Sequence, residues 1–324
     1  MSGATFAEEL VARLGSRHRV AAVATVSSTG ISVASVGAPA DADFEIGSIS
    51  KGITGLLYAD SRERGEVGPS TALGELLPLD GAPVAGVTLS SLATHRSGLP
   101  SLPAAASPLR KSLDLWLHGT NPYGETLDQL LAQARGVRPG PARPRYSNLG
   151  FQLLGHALAS AAGTTFQGLL RDRVATPLGL DVLYAPATPA DLRPDALTGT
   201  TRWGRKRRPW TGEALAPAGG IRARIGDMAR LAAALLDGSA PGIAALDPVE
   251  DFTGRVVRIG AAWITIERNG RAITWHNGGT GGFRTWLGLD RAAGTAVVVL
   301  SATAISVDRH GFALLARLTE EEGR

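Results

Sequence analysis

The chain has 324 residues and no cysteine, which excludes disulfides, thiolate catalysis, iron–sulfur clusters and cysteine-ligated zinc. Apolar residues make up 44% and charged residues 19%, the balance of a soluble globular protein that can bury a sizeable core. The formal charge is +4, and no stretch approaches the roughly 18 apolar residues of a membrane span. We therefore expect neither a membrane nor a nucleic acid as partner.

The first 50 residues predict a helix followed by two strands. Residues 1–15 are amphipathic and carry Glu8 and Glu9 where a signal peptide would be apolar, so we expect no secretory signal and a cytoplasmic protein. Two β-rich runs, residues 20–26 and 31–36, flank a stretch typical of a hairpin turn. Apolar residues at helical spacing then predict a helix that begins near Ser48.

The middle of the chain is helical and its last quarter is β-rich. A proline-rich loop covers residues 99–144, and an Asn269-Gly270 pair is a strong hairpin signal. The helical patterns lie at residues 126–134, 151–161, 166–174, 225–236 and 307–318. The late strands are predicted at residues 256–267, 271–275, 283–289 and 295–301.

Strands at both ends and helices between them predict an α/β (α+β) fold. One antiparallel sheet is built from both termini and flanked by helices, with an α-rich lobe inserted. Residues 1–60 and 240–324 would form the sheet lobe, residues 61–239 the mainly helical lobe, and residues 1–324 a single catalytic unit. A cleft between the lobes is the natural place for a ligand.

The first motif that carries chemistry is Ser48-Ile49-Ser50-Lys51, at the start of a predicted helix. A spacing of three places Ser48 and Lys51 on one helical face, and a helix N-terminus offers free N–H groups to an oxyanion. A lysine acts as a base only if burial or nearby charge lowers its pKa, which arginine does not allow. Taken alone, the motif also fits a plain N-cap followed by a solvated lysine.

Two further motifs follow. Tyr146-Ser147-Asn148 lies at a loop-to-helix junction, where a phenol near an ammonium group could share its proton. The alternative is a packed tyrosine followed by a capping Asn148. The stretch that begins at His276-Asn277-Gly278-Gly279 is predicted to lie between two strands, with glycines where backbone approaches a ligand. It also fits a simple glycine-rich turn.

Together these elements resemble the serine β-lactamase and penicillin-binding family. The branch they resemble is the class C-like one, which also holds esterases, D-amino-acid peptidases and transacylases. The order Ser-x-x-Lys, Tyr-x-Asn, His-x-Gly fits, and the resemblance covers roughly residues 5–318. Supporting stretches are residues 44–57, 94–100, 218–221 and 227–230.

The resemblance implies a role for each motif residue. Ser48 would attack an acyl carbonyl, while Lys51 and Tyr146 would take its proton and pass it to the leaving group. Asn148 would bind the acyl side of the substrate, and His276 would line the cleft where other members have lysine.

The glycines after His276 complete the predicted site. The N–H groups of Ser48 and Gly279 would form the oxyanion hole, with Gly278 beside them. His276 departs from the family's lysine, and a mostly neutral histidine would deprive a β-lactam carboxylate of a fixed cation. This departure and the absence of a signal peptide favour ester or amide chemistry on a small cytoplasmic molecule.

We therefore predict a serine acyl-transfer enzyme that forms an acyl–Ser48 intermediate and hydrolyses a small ester or amide. The alternatives are a transacylase with an amine or alcohol acceptor, a β-lactamase or D-Ala-D-Ala carboxypeptidase, and a non-catalytic binding module. The expected partner is a small-molecule acyl donor, and the sequence does not indicate an oligomeric state. No cofactor is expected, and no metal, because no two histidines have His-x-x-x-His spacing.

Three other features have two interpretations. His95 could act as a base, but it is typical of a histidine that anchors a loop. The run Arg205-Lys206-Arg207-Arg208 indicates a solvated loop or contact with an anionic substrate group. Five aromatic residues could form either a cleft wall or part of the core: Trp203, Trp210, Trp275, Phe283 and Trp286.

Overall fold

A computed structural model of the chain describes residues 9, 11–101, 126–254 and 256–323. Its main element is an eight-stranded antiparallel sheet in the order β2-β1-β11-β10-β9-β8-β7-β6. The strands are β1 (Ala21–Ser27), β2 (Gly30–Val36), β6 (Glu250–Thr253), β7 (Val257–Ile259), β8 (Ile264–Arg268), β9 (Arg271–Gly279), β10 (Arg284–Asp290) and β11 (Thr295–Ser301). Because β1 pairs with β11, the sheet is built from both ends of the chain, as predicted.

The centre of the sheet is buried on both faces. Every residue of β11 is buried, and alternate valines belong to two separate apolar clusters. Val298 faces the cluster that includes the helical lobe, whereas Val297 and Val299 face the C-terminal helix. A strand covered on both faces carries a continuous apolar run, which explains the uninterrupted apolar stretch in β11.

Helices cover the sheet and form the inserted lobe. They are α1 (Ile49–Glu63), α2 (Leu73–Leu76), α3 (Leu89–Ala93), α4 (Leu127–Arg135), α5 (Asn148–Ala161), α6 (Phe166–Leu170), α7 (Ile225–Asp237) and α8 (Asp308–Glu322). Short turns of 3-10 or wider helix lie at Pro83–Gly86, Arg171–Ala175, Pro189–Asp191, Ala216–Gly220 and Ile243–Leu246. Helix α1 is buried from Ile49 to Ser61, because it packs against α5 and the sheet as well as the Ala216–Gly220 turn. The described part has no helix that is both long and apolar enough to cross a membrane.

A second sheet of three short strands leads into the start of α1. It has the order β3 (Asp43–Glu45), β5 (Arg222–Arg224), β4 (Leu183–Tyr184). Arg222 is fully buried within it, with Nε 2.9 Å from Asp43 Oδ1 and Nη1 3.1 Å from Glu45 Oε1. These two ion pairs fix β3 to β5 only three residues before Ser48.

Three sequence-based boundaries were wrong. The predicted strand over residues 256–267 is two strands, since Ala261 N donates to Ala245 O and Ala262 N to Ala93 O, away from the sheet. The helix predicted over residues 166–174 ends at Leu170 and continues as the wider turn Arg171–Ala175.

The third wrong boundary concerns the glycine-rich motif. Its first four residues, His276 to Gly279, belong to strand β9, and only the stretch from Thr280 to Phe283 forms the turn. Residues 9 and 11–13 are helical, as predicted for the N-terminal stretch, whereas residues 1–8 and 10, and residues 102–125 of the proline-rich loop, lie outside the described residues.

Candidate active site

Ser48 lies where the second sheet passes into helix α1. The preceding residue, Gly47, has φ +56°, and a Cβ there would stand 2.5 Å from the backbone nitrogen of Gly279. Only glycine combines this backbone conformation with such a close approach. The Ser48 side chain does not cap the helix, which excludes the plain N-cap, and its Oγ lies 3.1 Å from Lys51 Nζ.

Lys51 is fully buried beneath Ser48. Its Nζ also donates a hydrogen bond to the carbonyl oxygen of Ala218. Burial lowers the pKa of the Lys51 ammonium well below its ordinary value of 10.5. No described carboxylate pairs with it, so no opposite charge among those residues offsets the cost of burying its charge. The lowered pKa favours the neutral amine, and a neutral amine accepts a proton.

The Ala216–Gly220 turn forms the floor beneath Lys51. Thr54 Oγ1 donates to Pro217 O at 2.8 Å, and Ser50 Oγ accepts from Ile221 N at 3.2 Å. Thr54 and Ser50 both lie on α1 near Lys51. The helix that carries the lysine therefore also holds the turn that accepts its hydrogen bond.

Tyr146 lies immediately before helix α5 and faces the lysine. Its ring centroid is 4.9 Å from Lys51 Nζ, and the residue is 38% exposed. Ser147 caps α5, because its Oγ accepts from Gly150 N at 2.9 Å. The cap and the helix therefore hold Tyr146 at the mouth of the site, beside Ser48 and Lys51.

His95 supports the other face of Tyr146. The ring centroids of the two residues lie 4.6 Å apart, and His95 Nδ1 accepts a hydrogen bond from Ser147 N at 3.2 Å. Burial first, and then the nearby charges of Lys51 and His276, lower the pKa of His95 well below 6.5. This is the geometry of the loop-anchoring histidine that the sequence indicates.

His276 is buried in β9 with its Nδ1 2.6 Å from the Asn277 carbonyl oxygen. Burial, and then the charge of Lys51, lower the pKa of His276 to about 4, so the ring is neutral at pH 7. It lines a small cavity of about 230 Å³ together with His95 and Tyr146. In the main cleft it is Asn277, the next residue, that contributes to the wall.

The two predicted oxyanion glycines face the start of α1. A Cβ on Gly278 would overlap the Ile46 carbonyl oxygen, so the backbone of β9 approaches the Ile46–Ser48 segment without intervening side chains. Gly278 and Gly279 both line the main cleft with Ser48. The assignment of Gly279 N–H to an oxyanion hole stays a prediction, and this placement supports it.

Asn148 is the first residue of α5 and is half-buried. Its Nδ2 donates to Ser101 Oγ at 3.2 Å. Ser101 is the last described residue before the gap at 102–125, so the predicted contact of Asn148 with the acyl side of a substrate stays a prediction.

The main cleft has a volume of about 900 Å³. Its walls are Ser48, Tyr146, the loop that follows Thr200, the end of β9 with its turn, and the stretch before α8. Sequence reasoning did not place Arg202, Arg284 or Asp308 here. Arg202 and Asp308 are far from the motifs along the chain, and only the fold brings them to the cleft, whereas Arg284 directly follows the glycine-rich turn.

The aromatic residues divide between cleft and core. Trp203 and Trp210 line the cleft, and Trp203 is 74% exposed. Trp286 is buried in the cluster beneath α8, and Phe283 lies in the main core. Trp275 packs on Phe312 and borders the small cavity instead. Two of the five predicted aromatic residues therefore line the cleft, two belong to the core, and Trp275 borders the small cavity.

No group of three metal-ligating side chains occurs among the described residues. Asp308, which lines the cleft, accepts a hydrogen bond from Asn277 Nδ2 at 2.9 Å. The described site therefore consists of a serine, an amine, a phenol and backbone N–H groups, which are the parts that acyl transfer requires.

Comparison with known proteins agrees with this chemistry. The β-lactamase family model matches residues 6–319. The unguisins hydrolase of Aspergillus campestris is 26% identical over 318 residues, which cover 87% of this chain and 56% of that protein. The D-alanyl-D-alanine-carboxypeptidase/endopeptidase AmpH of Escherichia coli K12 is 30% identical over 156 residues, 45% of this chain and 38% of that protein. The chain thus spans about half the length, or less, of these curated relatives.

Solved structures share the whole architecture. The class C β-lactamase from Rhodobacter sphaeroides superposes with a TM-score of 0.80 at 21% identity, covering 97% of this chain and 99% of that one. The D-alanine carboxypeptidase AmpC from Burkholderia cenocepacia gives 0.77 at 22% identity, covering 97% and 98%. The fold is therefore that of the class C β-lactamases, which confirms the predicted antiparallel sheet flanked by helices.

Proposed function

The chain belongs to the β-lactamase family of serine hydrolases, and from that premise we propose that it cleaves a small ester or amide through an acyl–Ser48 intermediate. The observation that carries the proposal is the buried Lys51 amine, 3.1 Å from Ser48 Oγ. A serine hydroxyl is a weak nucleophile by itself, and a neutral amine at hydrogen-bond distance accepts its proton as it attacks.

The proton follows a short path. Ser48 Oγ attacks the acyl carbon while its proton moves to Lys51 Nζ, which converts the amine to an ammonium. Tyr146 lies between Lys51 and the open cleft, and its phenol passes the proton to the departing alkoxide or amine. The buried ammonium is disfavoured, so Lys51 gives the proton up readily and returns to the amine.

The negative charge that develops on the carbonyl oxygen must be stabilised by hydrogen-bond donors. The N–H groups of Ser48, at the start of α1, and of Gly279, on the facing edge of β9, fit this task. One such donor contributes about 3–4 kcal/mol to the stability of the transition state. Water then attacks the acyl–Ser48 ester, with the same pair removing its proton.

A neutral residue at position 276 favours esters and simple amides over β-lactams. With a pKa of about 4, His276 supplies no positive charge to a β-lactam carboxylate at pH 7. We expect weak or no turnover of chromogenic cephalosporins and measurable cleavage of short-chain p-nitrophenyl esters. Cephalosporin hydrolysis with kcat/KM near 10⁶ M⁻¹s⁻¹, in the range of good enzymes, would contradict this choice of substrate.

The test of the nucleophile is covalent labelling. A fluorophosphonate should add one equivalent to the wild-type protein, and peptide mass mapping should place it on Ser48. Ser48→Ala should lose both the label and ester hydrolysis while its circular dichroism spectrum is kept. Ser160→Ala, an exposed serine at the far end of α5, is the matched control and should label like wild type. Activity of Ser48→Ala above about a tenth of wild-type kcat overturns the assignment.

A second experiment separates a hydrolase from a transacylase. Product analysis with and without an added amine or alcohol measures how the acyl–enzyme is resolved. Free acid as the main product in the presence of millimolar acceptor supports the hydrolase, and acyl transfer to the acceptor supports the transacylase. A protein that neither labels nor turns over any acyl donor would be a binding module.

A further inference from the structure

His95 contacts Tyr146 and both of its neighbours along the chain. The His95 carbonyl oxygen accepts a hydrogen bond from Arg145 N at 2.9 Å, and its Nδ1 accepts one from Ser147 N at 3.2 Å. Between these two bonds the imidazole lies against the phenol ring, with 4.6 Å between the ring centroids. A single residue therefore holds the backbone on each side of Tyr146 and also contacts its ring.

The segment that leads to Tyr146 is exposed, whereas His95 is anchored in the core. Residues 140–146 are all exposed, but His95 is only 2% exposed. His95 N donates to Leu92 O at 3.1 Å, at the end of α3, and the imidazole packs on Phe151 of α5 with 4.7 Å between the centroids. The contacts with His95 therefore connect an exposed segment of chain to a fixed point in the interior.

Two features of His95 lower the stability of the fold. Its φ is +55°, in the left-handed region that is uncommon for residues other than glycine. Because Nδ1 accepts a backbone hydrogen bond, the neutral ring carries its proton on Nε2, and this buried N–H has no hydrogen-bond partner in the described part of the chain. Strained backbone and unpaired buried donors concentrate at functional sites. Packing alone therefore does not account for a histidine at this position.

We infer that His95 is a positioning residue that holds the Tyr146 phenol where it can pass a proton to the leaving group. This rests on the proposed function, in which Tyr146 carries that proton. Proton transfer requires heavy atoms about 2.6–3.2 Å apart, and a misplacement of about 1 Å costs as much as about a hundredfold in rate. His95 is not among the described residues that line the main cleft, so it acts through Tyr146 and not on the substrate.

The experiment compares two esters whose leaving groups differ in their need for a proton. p-Nitrophenolate is a weak base and departs as an anion, whereas the ethoxide of ethyl butyrate is too basic to leave without protonation. kcat/KM, which reports formation of the acyl–enzyme, is measured for p-nitrophenyl butyrate and for ethyl butyrate. We expect His95→Ala to lower kcat/KM about a hundredfold for ethyl butyrate and less than about tenfold for p-nitrophenyl butyrate.

Two further variants separate the hydrogen bond from the ring contact. His95→Asn keeps an acceptor for Ser147 N and tolerates a positive φ, whereas His95→Phe keeps a ring but offers no acceptor. We expect His95→Asn to retain most of the wild-type kcat/KM for ethyl butyrate, and His95→Phe to lose as much as His95→Ala. In a Tyr146→Phe background, His95→Ala should cause no further loss for ethyl butyrate, because the residue through which it acts has been removed.

His156→Phe is the matched control. His156 is a second buried histidine, on α5, and its Nε2 lies 3.1 Å from the Glu213 carbonyl oxygen, so this change also removes a bond to the backbone. It should lower the urea midpoint without changing the ratio of kcat/KM between the two esters. The inference is overturned if His95→Phe leaves that ratio unchanged or changes it no more than His156→Phe does. Full additivity of His95→Ala with Tyr146→Phe also overturns it.

NMR spectra of protein with isotope-labelled tyrosine rings make the result independent of turnover. The chain has four tyrosines, and Tyr146→Phe identifies the Tyr146 signal. We expect that signal to shift or broaden in His95→Phe, although a ring is kept there, and to stay in place in His156→Phe. If the wild type hydrolyses no ester, the proposed function fails, and a changed signal still supports the positioning of the phenol by His95. If esters are cleaved through Ser48 but no His95 variant changes the signal or the ratio, the inference fails and the proposed function stands.

Discussion

Arg222 and Lys51 are both fully buried basic side chains, and their surroundings differ. Arg222, in the small sheet, contacts the carboxylates of Asp43 and Glu45, and its Nη2 also donates to the carbonyl oxygens of Asp43 and Leu197. Lys51, at the start of α1, has a hydroxyl and a carbonyl as its described partners. Arg222, which is paired with two carboxylates, holds the small sheet together. Lys51 has no described carboxylate partner, so burial favours its neutral, reactive form.

The largest expected effect comes from making Lys51 permanently charged. Lys51→Arg keeps the charge but cannot release a proton, so it should lower kcat/KM for a p-nitrophenyl ester at least about a thousandfold, and we expect the same of Lys51→Ala. Steady-state kinetics and the rate of fluorophosphonate labelling measure this. An arginine variant with a tenth or more of wild-type activity would show that the charge of Lys51, and not its loss, is what the site uses.

Tyr146→Phe removes the second half of the proposed proton path. We expect a loss of about a hundredfold in kcat, since a positioned acid or base contributes at least that much. Because Tyr146 and Lys51 act on one proton, the defect of the double variant with Lys51→Ala should be well below the product of the two single defects. A defect equal to that product would indicate independent action, and His276 would become the candidate base.

The free energy of unfolding should distinguish the two buried side chains, because replacing Arg222 should lower it whereas replacing Lys51 should not. Arg222→Met leaves Asp43 and Glu45 buried without their partner and should lower the free energy of unfolding by about 3–5 kcal/mol. Lys51→Met removes an unpaired buried amine and should leave that free energy unchanged or raise it. Urea titrations followed by circular dichroism provide both values.

Arg224→Met is the control for the arginine variant. Arg224 Nη2 lies 2.9 Å from Asp195 Oδ2 in a pair that is partly exposed on both sides, so its loss should cost less than about 1 kcal/mol. Equal losses of stability in Arg222→Met and Lys51→Met would contradict the distinction between a paired and an unpaired cation.

The smallest expected effect is on the pH dependence of stability. The pKa of Lys51 in the folded protein lies below its ordinary 10.5, so between the two values the unfolded chain binds more protons than the folded one. The contribution of Lys51 to stability is therefore most unfavourable below its folded pKa and becomes less so as the pH rises towards 10.5. Wild type should gain stability relative to Lys51→Met over that interval in parallel urea titrations. A difference that is constant with pH would show that the lysine has an ordinary pKa.

The sequence predicted the proximity of Ser48, Lys51 and Tyr146 because local spacing and the family resemblance together point to one site. It also predicted that the first and last strands share a sheet. It did not predict the small sheet, since strands of two or three residues have no measurable periodicity. Arg222 is joined to its carboxylates by contacts that no local pattern records.

Other differences between the predicted and the observed structure also arise where local patterns do not record the contacts that decide the structure. The strand over residues 256–267 is interrupted because Ala261 and Ala262 bond to residues outside the sheet. The loop over residues 200–208 reaches the cleft through Thr200, which bonds to Ala302 about a hundred residues later. His276 was assigned to a turn because its glycine-rich surroundings hid the alternation of a strand.

The pairing of β1 with β11 has a consequence for how the chain folds during synthesis. The β1–β2 hairpin leaves the ribosome early, but its neighbour β11 is made about 270 residues later, which takes on the order of tens of seconds at usual rates of translation. Until then β1 has an open edge and no covering partner, although it is among the most buried strands of the finished protein. Folding therefore depends on contacts that are distant along the chain, which makes it slow. A protein released without its last 30 residues would keep this edge exposed and would require a chaperone to stay soluble.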